Sequence, residues 1–125
     1  MVLVAEGAAT RMGTALNTKS NPLILRDEVM GEDRRALWAY LDGEGNLHID
    51  GQDLGPGTAI VSDDGEYEWF QKIRASDLPR LVEALGGAAG TPVLTLLKER
   101  FTGAGSYEFE RVLRTSGIPI ERHVW

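Results

Sequence analysis

The chain contains no cysteine. That absence excludes a disulfide framework, thiolate catalysis and cysteine-ligated zinc. Folding is left to an apolar core, and 125 residues suffice for one domain, 1–125, because a chain of this size buries roughly two thirds of its unfolded surface. Long apolar runs are lacking too: none approaches the ~20 residues that span a bilayer. The N-terminal "MVLVAEGAATRMG" begins apolar, but Glu6 interrupts it. It has neither the basic start nor the apolar stretch of about 7–15 residues that marks a signal peptide. A cytoplasmic protein with no membrane contact is expected.

Positive charge is missing from one long stretch. Residues 36–71 hold eight acids (Asp42, Glu44, Asp50, Asp53, Asp63, Asp64, Glu66 and Glu68) and no lysine or arginine. The rest of the chain balances to +2, so this stretch carries more than the whole net charge of −6. Such a field repels nucleic acid and anionic lipid and attracts cations or a basic protein. The same charges also suit a solvated face that keeps the chain in solution.

Hydrophobic periodicity divides the chain in two. Residues 1–20 are small and polar and read as a weakly ordered arm or an edge strand. "NPLILRDEVM" offers a possible strand after a turn-like Asn-Pro, and "GEDRR" punctuates it. In "RALWAYLDGEGNLHID", Leu37, Ala39 and Leu41 alternate with Trp38 and Tyr40, the period of a strand. "DGEG" supplies a hairpin turn, and Leu47 and Ile49 alternate on the return strand. "TAIV" is a short strand and "SDDG" another turn. In "EYEWFQKI", Tyr67, Trp69 and Ile73 share one side, and Glu66, Glu68, Phe70 and Lys72 the other.

From Ser76 onward the period becomes helical. Leu78, Leu81, Val82 and Leu85 fall on one stripe, capped by Ser76 and closed by Gly86-Gly87. Thr91-Pro92 opens a second helix, with Val93, Leu94, Leu96, Leu97 and Phe101 as its apolar face. Ser106 caps a third, with Tyr107, Phe109, Val112 and Leu113. "IPIERHVW" alternates again and reads as a strand returning to the sheet. The predicted fold is α+β: an antiparallel sheet of four to five strands, built from an N-terminal meander and a C-terminal strand, with about three helices packed on one face.

Few patterns carry chemistry. "DGEGNLHIDGQD" places oxygen ligands like a calcium loop, but Leu47 stands where that loop needs glycine and Asp53 where it needs a bidentate glutamate; a hairpin explains it better. His48, His123 and Asp50 would make a zinc or iron site if the C-terminal strand pairs near the hairpin. Ser62, Ser76, Ser106 and Ser116 sit at turns or caps, and none lies in a nucleophile elbow. "GAAG" and "GAG" lack the spacing of phosphate-binding loops. No catalytic residue, cofactor or metal ligand is assigned. The remaining candidate is the acidic strand and the turn before it: Asp63, Asp64, Glu66 and Glu68 as an acidic recognition surface, with Trp69 or Phe70 as an anchor. Charges and aromatics together suit a protein interface.

At "YLDGEGNLHIDGQDLGPG…DGEYEWFQKIRASDLPRLVEALGG" and "GAGSYEFERVLRTSGIPIERHVW", about residues 35–125, the chain resembles small bacterial immunity proteins of polymorphic and contact-dependent growth-inhibition toxin systems. The resemblance implies cytoplasmic residence, no catalysis and tight binding to one toxin domain, often a basic nuclease. A monomer or weak homodimer is expected. The alternatives are a small metal-dependent enzyme using His48, His123 and nearby acids, and a non-catalytic structural or regulatory domain that could pair through its C-terminal strand.

Overall fold

The computed structural model describes residues 17–56 and 66–124. Five strands follow one another in space as they do in sequence: β1 (Leu23–Met30), β2 (Asp33–Leu41), β3 (Leu47–Leu54), β4 (Glu66–Ile73) and β5 (Glu121–Val124). All neighbours are antiparallel. Between β4 and β5 the chain makes three helices, α1 (Leu78–Ala84), α2 (Val93–Arg100) and α3 (Gly105–Thr115). The expected α+β fold is therefore present, at the upper end of the strand count. No helix among the described residues is long and apolar enough to cross a membrane. The predicted strand "TAIV" and residues 1–16 of the predicted arm at 1–20 lie outside the described residues; Thr18, from the end of that arm, forms an isolated bridge with Asn21.

The core is the layer between sheet and helices. Leu37, Ala39, Leu47, Ile49, Trp69 and Ile73 pack from the strands against Leu81, Val82, Leu85, Leu94, Leu97, Phe109 and Leu113 from the helices. Residues two apart point to one face of a strand. The cross-strand rows confirm the alternation: Leu37 lies opposite Gly51, and Gly51 opposite Trp69, all on the helix side. Gly51 is required there. A Cβ at this position would stand 2.2 Å from two carbons of the Trp69 indole, so the ring occupies the space a side chain would need.

Local chemistry sets the helix ends, with three corrections to the expected caps. Ser76 lies in a 3₁₀ turn, Ala75–Asp77, and α1 starts only at Leu78. Extended Pro92 precedes α2, while the Thr91 hydroxyl donates to Ala88 O at 2.7 Å. Ser106 caps nothing: it lies within α3 and is fully buried. At the other end of α1, left-handed Gly86 (φ 81°) lets Gly87 N–H return to Val82 O at 2.9 Å, which satisfies a terminal carbonyl.

Ser106 is explained by an irregularity in β1. The register with β2 shifts between Ile24 and Arg26, so Leu25 is an extra, bulged residue. Its carbonyl accepts Gly103 N–H at 2.8 Å, from the turn between α2 and α3. The bulge also puts Arg26 opposite Leu37, on the helix side, where it is 4% exposed. Arg26 Nε donates to Ser106 Oγ at 2.9 Å, Nη2 reaches Glu110, and the guanidinium lies 3.7 Å from the centre of the Tyr107 ring. Ser106 in turn donates to Gly103 O at 2.6 Å. A buried charge is tolerated only when it is paired and hydrogen-bonded, and α3 supplies both conditions.

A candidate docking face on the open side of the sheet

The helices cover one side of the sheet. The alternate residues form the other. Its central row runs Ile24, Trp38, Asp50, Phe70, His123 across all five strands. One flanking row is Asp27, Ala36, Gln52, Glu68, and beyond it Val29, Arg34, Leu54, Glu66. On the opposite flank lie Tyr40, His48, Lys72 and Glu121. Ile24, Trp38 and Phe70 thus share the middle row with Asp50, which stands between the two aromatics, and further carboxylates lie in the flanking rows. Among the described strand residues on this side, the acids Asp27, Asp50, Glu66, Glu68 and Glu121 outnumber the bases, Arg34 and Lys72. Ile24 is 54% exposed and Val29 71%.

The charges are partly held in place. Arg34 bonds Asp27 at 3.0 Å, Gln52 donates to Glu68 at 2.9 Å, and Arg74 reaches Glu121 at 3.1 Å. Asp50, beside the central aromatics, is half-buried; burial pushes its carboxyl above the usual range, against the opposing pull of His48 and Lys19. Salt weakens such fields when the charges are exposed.

The expected site residues divide between the two sides. Glu66, Glu68 and Phe70 lie on the open face, Glu66 exposed and the other two half-buried. Trp69 is 7% exposed and belongs to the helix-side core, so of the two anchor candidates Phe70 is the one on this surface. Asp63 and Asp64 lie outside the described residues. Ile24, Trp38, Asp27 and Asp50 join the face through strand pairing, which spacing along the chain does not reveal.

The hairpin between β2 and β3 is built around Asp42. One carboxylate oxygen accepts Glu44 N–H (2.9 Å) and Asn46 N–H (3.0 Å); the other accepts Asn46 Nδ2 (3.1 Å) and lies 2.8 Å from His48 Nε2. The His48 bond, with the bonds from Asn46 and Glu44, holds the Asp42 carboxyl well below its ordinary range. Asn46 Oδ1 accepts Ala75 N–H at 2.9 Å, tying the turn to the start of the helical half. Both Asp42 oxygens are filled by N–H donors, and Asp53 stands at the far end of β3, so the oxygens that mimic a calcium loop do not converge. His48 also stacks on Tyr40, with ring centres 4.8 Å apart and planes 2° from parallel. These two rings, Asp42 and Lys19 line an open recess of about 800 Å³ at the end of the face.

His48 and His123 border one shallow depression with Phe70, Lys72 and Glu121, but β4 runs between their strands. Among the described residues no group of three or more His, Cys, Asp or Glu side chains is placed to hold a metal ion. Among the described residues, one side-chain oxygen is buried without a partner: Asp53 Oδ1, on the helix side. Burial raises the Asp53 carboxyl, and Arg35 and Arg26 draw it down.

No protein-family model matches the chain, no curated protein matches it, and no solved structure matches it.

Proposed function

We propose that this chain is a non-catalytic binding module, an immunity protein that neutralises a basic toxin domain by docking it on the open side of the sheet. The observation that carries the reading is the combination of Trp38 and Phe70, exposed Ile24, and the carboxylates among and beside them on the side of the sheet that no helix of the described residues covers. Interfaces draw their affinity from a few aromatic anchors in a desolvated centre, and their on-rate and selectivity from charge at the rim. Asp50, Glu66 and Glu68, three of the eight acids of the base-free stretch 36–71, lie on this face and complement a nuclease domain, whose own surface must be basic to hold nucleic acid. The resemblance to immunity proteins supports the same role, as does the neighbourhood of Asp42, whose carboxylate is spent on holding a turn.

The test is co-expression with a basic nuclease toxin domain, sought first among the products of the neighbouring genes. A stable complex that protects cells from killing is expected, with affinity falling as salt rises. Glu68→Arg and Phe70→Ala should weaken the complex while leaving the fold intact. Neither complex nor protection, or full protection by the Glu68→Arg/Phe70→Ala double variant, overturns the reading.

A further inference from the structure

A second surface, on the helix side, carries the opposite charge. Between α3 and the β4–β5 edge lies a recess of about 220 Å³, lined among others by Arg114 and Arg122 with Tyr67, Gln71 and Glu110. Arg122 is the cross-strand partner of Gln71. Arg114 stands in the last turn of α3, one turn beyond Glu110. Arg26, Arg34, Arg74, Arg80 and Arg111 each have a carboxylate partner. Arg114 and Arg122, both exposed, have none among the described residues; the same holds for Arg35 and Arg100, but only Arg114 and Arg122 share a recess. Glu110 does not neutralise them, because its carboxylate is already bound to buried Arg26. A chain with 19 acids thus leaves two arginines unmatched at one small recess. The negative end of the α3 dipole accounts for a cation at Arg114. It does not account for Arg122, which arrives from a strand.

We propose that this recess binds a phosphate group, free or as a small monoester, between the Arg114 and Arg122 guanidiniums. Two guanidinium forks match the charge and the several acceptor oxygens of a phosphate dianion, whereas a carboxylate satisfies one fork. Gln71 and Tyr67 add neutral donors that adjust by rotation. The volume holds about seven waters at about 30 Å³ each, room for a phosphate and a small substituent. The site is independent of the docking face, which lies on the other side of the sheet.

The experiment is an amide-shift titration of the intact protein with inorganic phosphate and, separately, phenyl phosphate, against sodium chloride at matched ionic strength. Saturable shifts centred on Gln71, Leu113 and Arg122 are expected with phosphate, strengthening as pH rises through the second phosphate ionisation, near 6 for a monoester. Arg114→Ala and Arg122→Ala should each weaken binding about tenfold or more, and Arg114→Lys less. Arg100→Ala, at an exposed arginine on α2, should change nothing. Tighter binding of phenyl phosphate than of phosphate assigns the natural ligand to esters; the reverse assigns it to the free ion. Shifts that chloride reproduces, or that survive in both alanine variants, overturn the proposal.

Discussion

Replacing Gly51 by alanine adds one methyl group where the structure has no room for it. The new Cβ would lie 2.2 Å from Trp69 Cε2 and Cζ2 and 2.8 Å from Cη2, where ordinary contact begins at 3.4 Å. The indole must therefore retreat by about 1.2 Å, the difference between 3.4 and 2.2. It is packed in the core at 7% exposure, so it can retreat only by leaving its rotamer or by prising β4 from β3. Overpacking of this kind costs about 1–3 kcal/mol, and an off-rotamer ring about 0.5–1.5. Alanine returns about 0.5–1 kcal/mol through backbone entropy. The expected net loss is about 1–3 kcal/mol, or a fall in Tm of about 4–12 °C for a domain of this size. Urea denaturation followed by circular dichroism measures it. The decisive comparison is a cycle with Trp69→Leu. Once the ring is gone, Gly51→Ala should cost less than about 0.5 kcal/mol, giving a coupling energy of at least about 0.5 kcal/mol. If Gly51→Ala costs the same with and without Trp69, the indole is not what reserves the space and the reasoning fails.

Other outcomes follow from the same structure. Glu110→Ala leaves Arg26, 4% exposed, as an uncompensated buried charge, and should destabilise by about 3–5 kcal/mol; Arg26→Met together with Glu110→Leu should recover most of that loss in a thermal melt. The depressed Asp42 carboxyl makes its stabilisation fully present above the unfolded pKa of about 3.9, lost as pH falls through its lower folded value. The stability difference between wild type and Asp42→Ala should accordingly be flat from pH 5 to 7 and shrink in acid, and a difference that grows in acid would contradict it. Asp50 has the opposite sign: burial raises it, so its ionised form opposes folding at neutral pH, and Asp50→Asn should be neutral or stabilising at pH 7 with a smaller effect below pH 4. On the open face, Phe70→Ala should weaken partner binding more than it lowers Tm, whereas Trp69→Leu should do the reverse.

Much of the architecture was legible because strand parity is a two-residue rule that needs no tertiary information. "EYEWFQKI" assigns Trp69 and Ile73 inward and Glu68 and Phe70 outward, and the cross-strand rows place them so. "DGEG" announced the hairpin, though not that Asp42 would gather three N–H donors from Glu44 and Asn46 and, with them, His48. Arg26 was illegible. An arginine in a short strand ordinarily faces water, and the partners that keep it buried, Ser106 and Glu110, lie 80 and 84 residues away. Ser106 misled for a related reason: a serine before an apolar helical stripe looks the same whether it caps the helix or seats a guanidinium. "GEDRR" read as punctuation, yet β2 already begins at Asp33, because charged residues at a strand end can pair their backbones while their side chains reach solvent. Arg114 and Arg122 attracted no notice, since their proximity depends on how α3 lies over the β4–β5 edge.

The register of the sheet has a consequence for how such a protein can change over generations. Along β2, β3 and β4 the residues that hold the fold alternate with those proposed to meet a partner. The two sets are interleaved in the gene and segregated in space. Exchanging Glu68 or Phe70 leaves the packing of Trp69 and Ile73 untouched, so specificity could drift one codon at a time on a constant scaffold. Gaining or losing a single residue within a strand would turn the whole set over and bury the recognition letters. Tolerated changes of length are therefore expected in the turns, and tolerated changes of identity at every second position.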